Sequence, residues 1–162
     1  IDDMTPSSPS LFGDSPMQRA KTKMWLRRIE QHIVLPLFAN ARWGRMKDFF
    51  ADKGLHGMLA NESAAEQQLA VARSQIIWLD QCMQDTGSHA FVCGDRFTVC
   101  DCMLWVMLEF WDAANQGTIK REWFGECGWI PDWFHRVGAR PSTSAFAASK
   151  ALKPTATKGS RL

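Results

Sequence analysis

A chain of 162 residues, 46% hydrophobic and 22% charged, has enough apolar material to bury one core of ordinary size without disulfides or a structural metal. Nineteen basic residues stand against seventeen acidic ones, and the basic side chains are scattered, so the net charge of +2 argues against a nucleic-acid surface. The longest unbroken apolar run, Cys102 to Leu108, is far shorter than the roughly 20 residues of a membrane-spanning helix, so no membrane span is expected.

The cysteines, Cys82, Cys93, Cys100, Cys102 and Cys127, are odd in number and contain no CxxC pair. They read as free thiols in a reducing compartment, which makes the expected location cytoplasmic. Cys100 and Cys102 flank Asp101, but on a helix two such side chains point roughly 200° apart, so no metal site is expected there.

The opening IDDMTPSSPSLFGD has neither the charged start nor the apolar stretch of a secretory signal. Its turn-forming residues predict an extended linker over residues 1–14, and a start on isoleucine suggests a piece of something longer. At Ser15 the pattern changes: serine to cap, Pro16 for the first helical position and Gln18 three residues after the serine make a capping box. The helix that follows is expected to run to about Asn40. Met24, Trp25, Leu26, Ile29, Ile33, Leu37 and Phe38 lie on one broad side of it, and Pro36 should kink it near its end.

A glycine-punctuated connection from Arg42 to Asn61, with a possible short helix around 46–51, leads to a second capping box at Ser63-Ala-Ala-Glu66. Leu69, Ala72, Ile76 and Leu79 then recur at helical spacing, and Gly87 should end that helix.

The third start lies in GDRFTVCDCMLW. The Thr98 hydroxyl can accept the N–H of Asp101 while the Asp101 carboxylate reaches back to the N–H of Thr98, and Phe97 with Cys102 can form a hydrophobic staple. The run CMLWVMLEFW is apolar on nearly all sides, which predicts a helix enclosed by its neighbours. A catalytic reading of Asp101 competes with the cap, and the cap accounts for both position and partner. Beyond Gly117 come a tryptophan-bearing loop (Trp123, Trp129), a short helix near Pro131 to Val137, another from about Pro141, and a loose basic tail over 153–162.

GDRFTVCDCMLWVMLEFW resembles the capped core helix of the cytosolic glutathione transferases, which opens on a GDRFT-hxxAD pattern. The stretch IDDMTPSSPSLFGDSPMQRAKTKMWLRRIEQHI resembles the linker and first long helix of their helical domain, and WIPDWFHRVGARPSTSAF its closing segment. One departure is visible, since family members usually carry alanine where Cys100 stands.

The resemblance implies an all-α bundle of the glutathione-transferase C-terminal type over residues 15–152. The thioredoxin-like N-terminal domain, which supplies a catalytic tyrosine, serine or cysteine in that family, is expected to be absent from the sequence given, and the sequence has no tyrosine at all. Glutathione is the implied co-substrate, a thioredoxin-like domain and a small hydrophobic electrophile the implied partners, and homodimers or larger assemblies are common in the family.

No catalytic residue is assigned. Trp25, Arg28 and His32, three and four apart, line one helical strip. That strip could face an electrophile, with Arg28 attracting a glutathione carboxylate; equally, Trp25 can be core and the other two solvated. Trp123 and Trp129 can close over a flat substrate or simply seal the bundle. His56, His89 and His135 have no spaced partners. The ending Ser160-Arg161-Leu162 resembles a peroxisomal address, the alternative to a cytoplasmic location.

Two function classes follow. One is the helical half of a glutathione transferase or glutathione-dependent reductase, with the isolated chain inactive. The other is a non-catalytic scaffold or docking module built on the same bundle.

Overall fold

The computed structural model describes residues 9–44, 46–48, 61–87, 89–114, 117 and 119–143. The expected short helix around 46–51 falls mostly outside them, as do His56 and the 153–162 tail with Ser160-Arg161-Leu162. Among the described residues the architecture is all-α, with one isolated antiparallel bridge between Phe91 and Gly94.

Helix α1 (Pro16–Ile29) opens on the capping box read from the sequence, the Ser15 hydroxyl accepting from the N–H of Gln18 and the Gln18 side chain accepting from the N–H of Ser15. The helical path is not broken at Pro36, where a kink is expected. Instead a π turn (Glu30–Val34) widens the helix just before the proline, with Leu35 N–H donating to the carbonyl of Glu30, and α2 (Leu35–Trp43) continues the rod. Proline has no N–H and its ring collides with the carbonyl one turn back; the wider turn relieves both, which is why the helix continues beyond Asn40.

Helix α3 (Glu62–Asp85) starts two residues earlier than a cap at Ser63 would place it, because Asn61 is the cap and its side-chain oxygen accepts from Ala64 N–H at 3.0 Å. Asparagine in this position is among the strongest caps, so Ser63 sits inside the first turn. Gly87, at φ +89°, follows the end of the helix.

Helix α4 (Val99–Ala114) is the central element, with Cys100, Leu104, Trp105, Leu108 and Trp111 all buried. Around it gather Trp25, Ile29, Ile33 and Leu37 at fourfold spacing from α1 to α2, then Ala72, Ile76, Leu79 and Met83 of α3. Helix α5 (Ile130–Gly138) adds Ile130, Trp133 and Val137. Helix α2 packs along α3, while α1 and α5 pack against α4. Each fully buried side chain of this size contributes about 1.5 to 3 kcal/mol of apolar transfer.

Enclosure of α4 is not complete. Val106 and Phe110, one turn apart, are each 39% exposed, so the helix carries an open apolar strip opposite its core face. Met24 and Phe38 also lie at the surface rather than on the buried side of the first helix. Between α4 and α5, a π turn (Ile119–Trp123) and a 3-10 turn (Phe124–Glu126) carry Ile119 and Trp123 into the core.

Candidate functional site

The mouth of α4 is a dense hydrogen-bonded point of the core. Asp101, fully buried, accepts from Thr98 N–H at 2.8 Å, Thr98 Oγ1 at 3.0 Å, Val92 N–H at 3.0 Å and Trp133 Nε1–H at 2.9 Å. The back-reaching half of the capping box is therefore present. The other half differs from expectation: the Thr98 hydroxyl donates to Asp101 and accepts from Cys100 N–H at 3.2 Å, rather than accepting from Asp101 N–H, which bonds the Thr98 carbonyl instead. The first turn is too tight for the hydroxyl to reach the third amide. Phe97 meets Phe91 edge-on at 5.5 Å and lies 3.8 Å beneath the Arg140 guanidinium, while Cys102 is half-buried. With its acceptor capacity filled by buried donors, Asp101 organises the fold and is turned away from solvent.

Sequence reasoning missed a second carboxylate of the same kind. Asp80, in the middle of α3 and 1% exposed, accepts from Gly128 N–H at 2.9 Å, Trp129 N–H at 2.8 Å and Ile130 N–H at 2.7 Å. It caps α5 from another helix, and no local spacing announces such a partner. Asp112, at the end of α4, likewise accepts Lys120 N–H at 2.9 Å. Lys120 Nζ bridges Glu109 at 2.8 Å and Asp112 at 3.4 Å; burial pulls the ammonium pKa down, but the two carboxylates outweigh it and the net shift is upward.

The sequence candidates fall into separate places. Trp25, Arg28 and His32 share one cleft between α1 and α3, with Ile29, Ile33, Gln75, Trp78 and Leu79. Trp25 is buried, and Arg28 and His32 are exposed. The Arg28 guanidinium lies 5.5 Å from the Trp25 ring and 5.3 Å from the Trp78 ring, and the two indoles are 6.1 Å apart at 41°. This cation–π contact nearly fills the cleft: the remaining ≈ 10 Å³ holds about one water. Two rings at 6.1 Å leave no space for a third between them, so a flat ligand would lie across their outer edge beside Arg28. Trp78 is the member that sequence reading omitted. Helical spacing alone puts it off the Ala72–Ile76–Leu79–Met83 stripe; that it is 38% exposed and meets Trp25 comes from the packing of the two helices.

Trp123 and Trp129 do not join that cleft. Trp123 is 5% and Trp129 8% exposed within the core cluster. Trp129 stacks on Trp133 at 5.6 Å and 21°, and its Nε1–H donates to the His89 carbonyl at 2.7 Å. Its exposed edge belongs to a separate, more polar depression with Gln84, His89, Asp132 and Arg136. His135 is exposed on α5.

A larger groove of ≈ 430 Å³ runs along α2 between Leu35, Pro36, Phe38, Ala39 and Trp43, with Gln31, Arg42 and Gln68 at its polar side. Its size suits a small ligand, but it carries no nucleophile or acid–base group. Among the described residues, no group of three or more His, Cys, Asp or Glu side chains is placed to hold a metal ion.

With this geometry in place, the chain can be set beside known proteins. Residues 62–139 match the family model described as glutathione S-transferase, C-terminal domain. Among solved structures, the chain is similar to Gtt2 from Saccharomyces cerevisiae, with a TM-score of 0.71 at 20% identity. That match covers 88% of this chain and 63% of the Gtt2 chain, so the present chain spans less than two thirds of it. No curated protein sequence matches the chain.

Proposed function

We propose that this chain, whose residues 62–139 match the glutathione S-transferase C-terminal domain model and whose fold is similar to that of Gtt2, supplies the electrophile-binding wall of a glutathione-dependent transferase or reductase. The observation that carries the reading is the Arg28 guanidinium set across Trp25 and Trp78 at 5.5 and 5.3 Å, with Arg28 and Trp78 exposed at the rim of the cleft between α1 and α3. Indole edges offer a flat apolar rest for an aromatic electrophile, and the guanidinium beside them offers a fixed positive charge for a peptide carboxylate.

Conjugation joins the glutathione sulfur to the electrophile's carbon while the leaving group departs, and it needs thiolate near neutral pH. No residue of this chain is assigned that activation; a thioredoxin-like domain joined to it supplies the donor. The chain's own residues orient the electrophile and hold the carboxylate.

A direct test measures conjugation of a chlorinated nitroaromatic with glutathione. The isolated chain is expected to show no turnover, and the protein joined to a thioredoxin-like half is expected to show turnover whose KM for glutathione rises about tenfold on Arg28→Ala, the equivalent of about 1.4 kcal/mol. Turnover by the isolated chain, or kinetics indifferent to Arg28, would contradict the reading. A scaffold role is favoured by one feature, the exposed Val106–Phe110 strip on α4; a coding sequence with no thioredoxin-like domain upstream of Ile1 would support it over the enzyme.

A further inference from the structure

We infer that Cys93 and Cys100 are a peroxide-oxidisable thiol pair that closes reversibly to a disulfide across the mouth of α4. Their Sγ atoms stand 3.8 Å apart, held there by two independent pieces of structure. Cys93 sits in the turn closed by reciprocal bonds between Phe91 and Gly94, at 2.8 and 3.0 Å, with Gly94 at φ +107° where a side chain would be strained. Cys100 is the second residue of α4, and its N–H is tied to Thr98 Oγ1. A disulfide needs the sulfurs at about 2.05 Å, so closure takes less than about 2 Å of approach, within reach of side-chain rotation.

The two thiols are unequal in a way that assigns their roles. Cys93 is half-buried and can meet a small oxidant, whereas Cys100 is fully buried, its sulfur packed 3.3 Å from the Thr22 carbonyl. Hydrogen bonding from Cys100 pushes the Cys93 pKa down to about 6; burial opposes this, as does the Asp101 charge. The Thr98 and Thr22 hydroxyls contribute less than their proximity suggests. Each has one proton, and the closer acceptors take it: Asp101 Oδ2 at 3.0 Å and the Gln18 carbonyl at 2.9 Å. Cys100 is shifted upward, first by serving as donor to Cys93 and then by burial. Cys93 is thus the attacking sulfur and Cys100 the resolving one.

The oxidant is a hydroperoxide. The Cys93 thiolate attacks one peroxide oxygen, the O–O bond breaks, and the departing oxygen leaves as water or alcohol after taking a proton, leaving a sulfenic acid on Cys93. Cys100 then attacks the Cys93 sulfur. The S–O bond breaks, and hydroxide leaves as water with the Cys100 proton. Two thiols lose two electrons, and one peroxide is reduced by two. A thiol reductant reverses the bond by exchange.

The test treats the reduced chain with one equivalent of hydrogen peroxide, then unfolds and alkylates it. Expected are the loss of two alkylatable thiols out of five, a mass lower by about 2 Da before alkylation, and full recovery with dithiothreitol. Trypsin cuts after Arg96, so the bond should join two tryptic peptides through Cys93 and Cys100. Cys93→Ser should abolish the loss, and Cys100→Ala should leave a sulfenic acid on Cys93 that a dimedone-type reagent traps. Retention of five free thiols, a bridge from Cys93 to Cys102, or over-oxidation of Cys93 in the unsubstituted protein with Cys100 still alkylatable would overturn the inference. Cys93→Ser lies in a half-exposed turn, so its result stands even if Cys100→Ala fails to fold.

Discussion

Replacing Asp101 by alanine isolates the device on which α4 depends. Four donors converge on this carboxylate. One, the Thr98 hydroxyl, can rotate toward the Cys93 sulfur 3.6 Å away. The other three, Val92 N–H, Thr98 N–H and Trp133 Nε1–H, are fixed, and all three residues are buried. An orphaned buried donor costs about 1 to 3 kcal/mol, giving a bare sum of about 3 to 9 kcal/mol. Removing three heavy atoms leaves room for about one water, which restores one or two of those bonds. The expected loss is therefore about 3 to 5 kcal/mol, or a Tm lower by about 10 to 15 °C for a chain of this size. Asp101→Asn, which keeps one acceptor oxygen but turns an amide N–H2 toward donors, should lose about 2 kcal/mol. Urea unfolding followed by tryptophan fluorescence measures both, with the midpoint moving and the slope unchanged. A loss below about 1 kcal/mol for Asp101→Ala would refute the reasoning, because at least one buried donor stays stranded even after a water has entered.

Asp80→Ala should cost about 2 to 4 kcal/mol by stranding three amides at the start of α5, and hydrogen exchange should show α5 opening before α4. Brief iodoacetamide labelling at pH 7 should modify Cys93 first. Thiolate fraction rises as pH passes the pKa, which is about 6 for Cys93, whereas Cys127 is pushed up to about 11 by burial, then Asp80 and Glu126, and Cys82 and Cys102 are also raised. Equal labelling of all five by mass mapping would count against the assigned environments. Gly13→Ala should destabilise by about 1 to 3 kcal/mol in the same urea assay, since Gly13 has φ +117° and a methyl there would stand 2.6 Å from Gln18 Cβ.

Legibility in the sequence followed the reach of each interaction. Ser15 with Gln18 and Thr98 with Asp101 are local devices, readable because donor and acceptor are three residues apart. The 25–29–33–37 and 72–76–79–83 repeats are equally local and locate the core faces. Asp80 was invisible because the amides it serves lie some fifty positions away, and a lone aspartate inside a helix looks like a solvated one. Ser63 misled because it mimics a cap while Asn61, a better one, stands two residues before it. The apolar excess of α4 suggested burial on all sides, yet hydrophobicity fixes only what can be buried; Val106 and Phe110 stay exposed because no described element covers that side. For the candidate site, helical spacing put Trp25, Arg28 and His32 on one strip, whereas Trp78 came only from the packing of α3 against α1. Trp123 and Trp129 could not be sorted between lid and core without knowing where the turns after α4 lead.

The functional reading rests on the Trp25–Arg28–Trp78 surface accepting an aromatic thioether with peptide carboxylates. The most direct measurement follows the tryptophan indole N–H signals by NMR while the chain is titrated with S-(2,4-dinitrophenyl)glutathione. The signals of Trp25 and Trp78 should shift saturably, those of Trp105 and Trp133, which do not line that cleft, should stay fixed, and Arg28→Ala should weaken the response about tenfold. Shifts confined to other tryptophans, or none at all, would contradict it.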